Sequence, residues 1–144
     1  MDHQAIIVEG KFNAPVSKVW KSITDKDEME KWYFELPDFT PKIGFPFQFT
    51  DGPSPEKQYL HLCEITEVIT EKKLSYSWRY DGYAGNSIVT FELHPQGNIT
   101  VLRLSHHGIE SFPIENKDFA KANFEEGWLH IVNISLKNYL EPVR

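Results

Sequence analysis

One stretch near the end of this chain constrains its fold more than any other. From about Asn116 to Tyr139, the apolar-face positions Trp128, Ile131, Val132, Ser135, Leu136 and Tyr139 recur at i, i+3, i+4, i+7, i+8 and i+11, while His130, Asn133 and Lys137 fall opposite. The spacing predicts one long amphipathic helix with Asn116 as its cap. At about 1.5 Å of rise per residue it would run roughly 35 Å, the width of a small domain. A helix of that length needs an extended surface to cover its apolar face, and a sheet is the surface that fits.

The preceding residues supply the strands. Ile6, Val8 and Phe12 alternate with Ile7, Glu9 and Lys11 in a stretch from residue 4 to 13, and Asn13-Ala14-Pro15 ends it. Pro15 suits the first turn of a short helix carrying Val16, Val19, Trp20 and Ile23. Asp25 with Glu28 has the spacing of a capping box for a second short helix with Met29 and Trp32. Phe34 to Pro46 has no clear period and reads as a loop packed on the body. Phe45, Phe47 and Phe49 then alternate, Asp51-Gly52-Pro53-Ser54-Pro55 reads as a turn, and a long strand is predicted over Lys57 to Ile69. Leu74, Tyr76, Trp78 and Tyr80 share one face of the next strand, Val89, Phe91 and Leu93 one face of another, and Leu102, Leu104 and His106 one face of the last. Short connections predict an antiparallel meander. The order is strand, two short helices, about five strands and a long helix, an α+β arrangement in which a curved antiparallel sheet of about six strands wraps a C-terminal helix.

Composition narrows the function classes. A chain of 144 residues is expected to form a single domain over 1–144. Its formal charge of -6 argues against nucleic acid, whose phosphates require a basic surface. No apolar run approaches a membrane span, nothing at the start reads as a cleavable signal, and the single Cys63 cannot form an internal disulfide, so a soluble cytoplasmic protein is expected. The six histidines are scattered, no ligand spacing points to a metal, and neither a nucleophile elbow nor a phosphate loop implies a catalytic serine or a cofactor. Ten Phe, six Tyr and four Trp make the interior unusually aromatic, and flat side chains of this kind line cavities as well as fill cores.

Several motifs also resemble a known family. Ala14-Pro15-Val16 with Val19-Trp20, Ile23-Thr24-Asp25 and Lys31-Trp32-Tyr33, then Leu74 to Trp78, Ser87 to Leu93, Asn98 to His106, and Gly127-Trp128 ahead of Tyr139-Leu140-Glu141 are similar in order to domains like the activator of the heat-shock-protein ATPase. These belong to the START and birch-pollen-allergen superfamily, whose helix-grip fold the resemblance implies. Thr70-Glu71 stands where the family usually carries a pair of prolines. Chaperone-activating members have a further large N-terminal domain, so co-chaperone activity is not an expectation here.

The resemblance implies an internal cavity between sheet and helix for apolar small molecules such as lipids, polyketides or flavonoids. By strand phase, Tyr76, Trp78, Val89, Phe91, Leu102, Leu104 and His106 are its candidate lining from the sheet, with Trp128, Ile131, Val132, Ser135 and Tyr139 from the helix. His106 is the sharpest polar candidate. It reads as a hydrogen-bonded histidine at the barrel mouth, as a group orienting a ligand, or, with Glu64 or Glu67, as a proton carrier. Gly127 would let the helix approach the sheet or leave room for a ligand, and the Pro37 to Pro46 and Asp81 to Gly85 loops are candidate gates. Three readings follow: a binder of a hydrophobic or aromatic small molecule without chemistry of its own, a cyclase or dehydratase using His106, and a stress-related interaction module with a chaperone partner. Monomer and homodimer both remain open.

Overall fold

Period-two alternation becomes strand wherever one face is buried, and the first strand shows it plainly. The computed structural model describes residues 5–141, so Gln4, the first position of the predicted opening stretch, lies outside the described residues. Strand β1 (Ile6–Phe12) buries every second residue. Pro15 sits one residue earlier than the sequence suggests, in extended conformation, flanking helix α1 (Val16–Thr24) rather than opening its first turn. Asp25 caps helix α2 (Lys26–Trp32) by accepting from the Asp27 backbone N–H at 2.9 Å. Glu28 does not return the bond of a capping box; it faces Lys21 at 3.6 Å and accepts from the Tyr139 hydroxyl at 3.0 Å.

The remaining strands are β2 (Pro46–Ser54), β3 (Lys57–Ile69), β4 (Lys73–Tyr80), β5 (Ser87–Gln96) and β6 (Ile99–His107). They pair antiparallel in the order β1-β6-β5-β4-β3-β2, a curled half-barrel with β1 and β2 at its edges. Asp51 to Pro53 is not a turn. Strand β2 runs on to Ser54 through an irregularity between Asp51 and Ser54, where the Gly52 backbone lies against that of Lys57 too closely for any Cβ.

The concave face is closed by the C-terminal helix, which departs from the predicted one in two ways. Asn116 caps a 3-10 turn (Lys117–Phe119), accepting from Asp118 N–H at 3.0 Å, and helix α3 starts only at Lys121. Beyond α3 (Lys121–His130) the backbone widens into a π-helical segment (Ile131–Leu136) before α4 (Lys137–Leu140). Buried positions explain the widening. Phe124, Trp128, Val132, Leu136 and Leu140 recur every four residues. On an ideal α-helix four residues turn about 400°, so such a stripe drifts about 40° per step, and a wider turn in the middle brings it back onto the sheet.

A second stripe of the same period seals the β1 edge. Asn133 Nδ2 donates to the Glu9 carbonyl at 3.2 Å, Lys137 Nζ to the Lys11 carbonyl at 2.7 Å, and Glu141 Oε2 accepts from Asn13 N–H at 2.8 Å. Four helical residues rise about 6 Å and two strand residues about 6.6 Å, so the two ladders keep step. Asn133 and Lys137, expected to face away from the sheet, thus satisfy an edge that would otherwise be open to another strand. The helix packs close against Gly10, where an added Cβ would lie 2.8 Å from Val132 Cγ1 and 2.9 Å from the Phe12 ring. Gly10→Ala is expected to destabilise by about 1–3 kcal/mol. Val132→Ala in the same chain should recover part of that loss in a urea-melt cycle; full additivity would show that the contact is not where the cost arises.

Candidate functional site

Most of the concave face is packed shut. Leu74, Val89, Leu102 and Leu104 are fully buried, Phe91 nearly so, and Val132 meets them from the helix. Toward the β2 and β3 end the sheet curls away from α3 and leaves a cavity of about 490 Å³. Its walls are aromatic: Phe34 from the loop after α2, Tyr59, Trp78 and Tyr80 from the sheet, and Phe124 and Trp128 from the helix. Ile131, the first residue of the π-helical segment, lies along one side. Gly127 also lines it, and a Cβ built there would meet no atom within 4 Å, so this glycine leaves room and Gly10 provides the close approach.

Of the residues singled out by strand and helix phase, Trp78, Trp128 and Ile131 line this space. Tyr76, Val89, Phe91, Leu102, Leu104 and Val132 lie in the core beside it, and His106 is fully buried with them. Tyr76 shares a 2.6 Å hydrogen bond with Tyr33, and burial holds both phenols well above their ordinary range. Ser135 and Tyr139 are half-buried on the helix flank, where Tyr139 reaches Glu28.

His106 is fixed by its partners. Trp128 Nε1 can only donate, and it lies 3.0 Å from His106 Nδ1, so that nitrogen carries the lone pair. Nε2–H therefore donates to Ser87 Oγ at 2.7 Å, and the serine hydroxyl donates to the Trp78 carbonyl at 2.8 Å. Burial, with a smaller contribution from His107, pushes the imidazole pKa down to about 3. It is a neutral link between helix and sheet, and proton transfer through it would first require breaking the Trp128 bond. Glu64 and Glu67 do not approach it; Glu64 is exposed on the outer face and Glu67 pairs with Lys73 at 3.1 Å.

The polar groups that do reach the cavity, His61 and Tyr80, lie outside the candidate lining expected from the sequence. His61 is buried, stacked on Phe49 with ring centres 4.4 Å apart, and edge-on to Trp78 and Tyr80. Its Nδ1 donates to the Tyr59 carbonyl at 3.0 Å. Burial lowers its pKa to about 4 against the opposing pull of the Tyr59 and Phe49 backbones, so at neutral pH, with the proton on Nδ1, Nε2 carries the lone pair. The Tyr80 hydroxyl accepts from Trp78 Nε1 at 2.9 Å and keeps its own hydrogen to give. Burial pushes that phenol well up, so it remains a donor. In β3, Tyr59, His61, Cys63 and Ile65 alternate inward, so strand phase was the signal that places His61 inside.

The mouth lies between the β2 irregularity and the turn before α3. Asp51, Gly52 and Pro53 form one lip, Asp118 and Phe119 the other. Asp118 is held by the Tyr59 hydroxyl at 2.6 Å and by Lys57 Nζ at 2.9 Å, which keep its carboxyl below the usual range. Of the two expected gates, the loop with Pro37 and Asp38 borders a second depression of about 530 Å³ on the outer face of β2 to β4, whereas Tyr83 of the Asp81 to Gly85 loop packs on Tyr59 and Phe119 beside the mouth. Among the described residues no group of three or more His, Cys, Asp or Glu is placed to hold a metal ion, and no helix is long and apolar enough to cross a membrane.

Comparison with known proteins locates this architecture. The sequence model of one family, described as activator of Hsp90 ATPase homolog 1-like protein, matches residues 13–141. No curated protein matches the sequence. Among solved structures, MLL2253 from Mesorhizobium loti is 26% identical with a TM-score of 0.78, over 98% of this chain and 99% of that one. DynU16, a protein of the dynemicin biosynthetic locus, is 23% identical with a TM-score of 0.78, over 99% of this chain and 48% of that one. The Aha1 dimer from Colwellia psychrerythraea is 19% identical with a TM-score of 0.72, over 96% of this chain and 97% of that one.

Proposed function

This chain belongs to the activator of Hsp90 ATPase homolog 1-like family, and we propose that it binds a hydrophobic or aromatic small molecule in the cavity beside α3. The observation that carries this reading is the cavity itself: about 490 Å³ of aromatic-walled space, open to solvent along its mouth beside a closed core, within the size range of small-molecule sites. Gly127 supports the same reading, because a helix-interior glycine costs about 1 kcal/mol against alanine and here makes no close contact that would require it. His61 and Tyr80 add an acceptor and a donor to apolar walls, the composition by which such sites orient a ligand. DynU16, of the same fold, comes from a biosynthetic locus, which makes aromatic natural products a sensible part of the first panel.

The test is a tryptophan-fluorescence titration with flavonoids, fatty acids and polyketides, preceded by native mass spectrometry for a co-purifying ligand. Trp78 and Trp128 line the space, so an occupant should quench them saturably. Gly127→Leu is expected to fold and to weaken binding by more than about tenfold, because its side chain occupies the cavity. Gly127→Ala should raise the melting temperature by about 2–4 °C. No saturable response from any compound, or undiminished binding by Gly127→Leu, would overturn the reading.

A further inference from the structure

The charges at the mouth of the cavity narrow the class of its ligand. Strand β2 turns Phe47 and Phe49 inward, and Asp51 continues that phase, which brings its carboxylate to the concave side opposite Tyr59 in the ladder. Asp118, on the other lip, is already neutralised by Lys57. Among the described residues no cation pairs with Asp51. None of the residues lining the cavity is Lys or Arg, and the whole chain carries -6. An anionic ligand would meet unbalanced carboxylate at the entrance and no compensating charge within.

A cation meets the opposite. Just inside Asp51, Tyr59, Tyr80 and Phe119 pack together with ring centres 4.6–5.7 Å apart, and the faces of such rings attract ammonium groups. His61, buried and neutral, offers a lone pair to an N–H donor and no repelling charge. Desolvation by partial burial holds the Asp51 carboxyl above its usual range, against the opposing pull of a hydrogen bond from the Gly52 backbone N–H. From this arrangement we infer that the cavity takes an apolar or aromatic amine in its ammonium form, the ring system lying against the wall that Trp78 and Trp128 form together and the charge held by Asp51 beside Tyr59 and Tyr80. This rests on the cavity-binding reading above and specifies its ligand.

Three probes of one shape separate the two claims: naphthylmethylammonium, naphthylmethanol and naphthoate, titrated into isotope-labelled protein while the indole N–H resonances of Trp78 and Trp128 are followed. The ammonium is expected to bind about tenfold more tightly than the alcohol, and naphthoate least. Asp51→Asn, a change at an exposed position, should bring ammonium and alcohol within about threefold of each other, and added salt should do so in part. Equal affinities in the unaltered protein, or a preference for naphthoate, would overturn the cationic class and leave cavity binding standing. An ammonium preference that survives Asp51→Asn unchanged would overturn the role given to that carboxylate. No shift with any probe would overturn both claims.

Discussion

Trp128→Ala is expected to cost about 3–5 kcal/mol of stability, the range for deleting a buried aromatic ring. Two losses combine in it. The indole is nearly fully buried against Trp78, Phe91 and Tyr33, and its N–H is the donor that satisfies His106 Nδ1. Trp128→Phe separates them, since it keeps a ring and removes only the donor. That change should cost about 1–3 kcal/mol, the penalty of a buried acceptor left without a partner. For a chain of this length it corresponds to a fall of roughly 3–10 °C in melting temperature. If His106→Leu is then added, the unpaired acceptor is gone and the loss from Trp128→Phe should shrink in a double-mutant cycle. Additive losses would mean that the Trp128 to His106 bond contributes nothing of its own. Because Trp128 supports the core as well as the cavity, its truncation is a poor probe of binding, and Gly127 is the better one.

How far the fold could be read depended on whether one physical rule acted alone. Leu74, Tyr76, Trp78 and Tyr80 are legible because a strand has one period and these residues have one inward face. The C-terminal helix obeys two demands at once. Trp128, Ile131 and Val132 suit an ordinary α-helix, but the core stripe and the Asn133, Lys137, Glu141 stripe both need four residues per turn to keep pace with β1. An α-helical template accommodates the first and places Asn133 and Lys137 in solvent, so it misses the widened turn and the sealed edge. The lip at Asp51 to Pro53 was hidden for a related reason: Asp, Gly and Pro together signal a turn, and only the pairing of β2 with β3 turns them into an irregular strand. The family resemblance identified the fold and the side of the sheet on which a cavity would lie. It could not say that the Val89, Phe91, Leu102 and Leu104 end is closed and the His61 and Tyr80 end open, since that depends on how far the sheet curls from the helix.

The two buried histidines make a second large effect, in acid. Their folded pKa values are about 3 for His106 and about 4 for His61, against 6.5 when exposed. Below pH 6.5 the unfolded chain takes up protons on both rings while the folded chain does not, so the stability they confer is complete above pH 6.5 and is lost as pH falls toward 4 and then 3. Each ring should contribute a slope approaching about 1.4 kcal/mol per pH unit between roughly pH 6 and 4. Over that interval the pair removes several kcal/mol, a large part of the stability of an ordinary domain. Urea melts across this range are expected to show the combined slope. His61→Gln, which can still donate to the Tyr59 carbonyl, and His106→Gln, which can still bridge Trp128 and Ser87, should each remove about half of it. The slope separates proton linkage from any general loss of packing, because packing lowers the whole curve without tilting it. Unchanged slopes in both variants would mean that these rings already carry their protons in the folded state. His106 could then not accept from the Trp128 indole, and the neutral acceptor assigned to His61 in the cavity would fail with it.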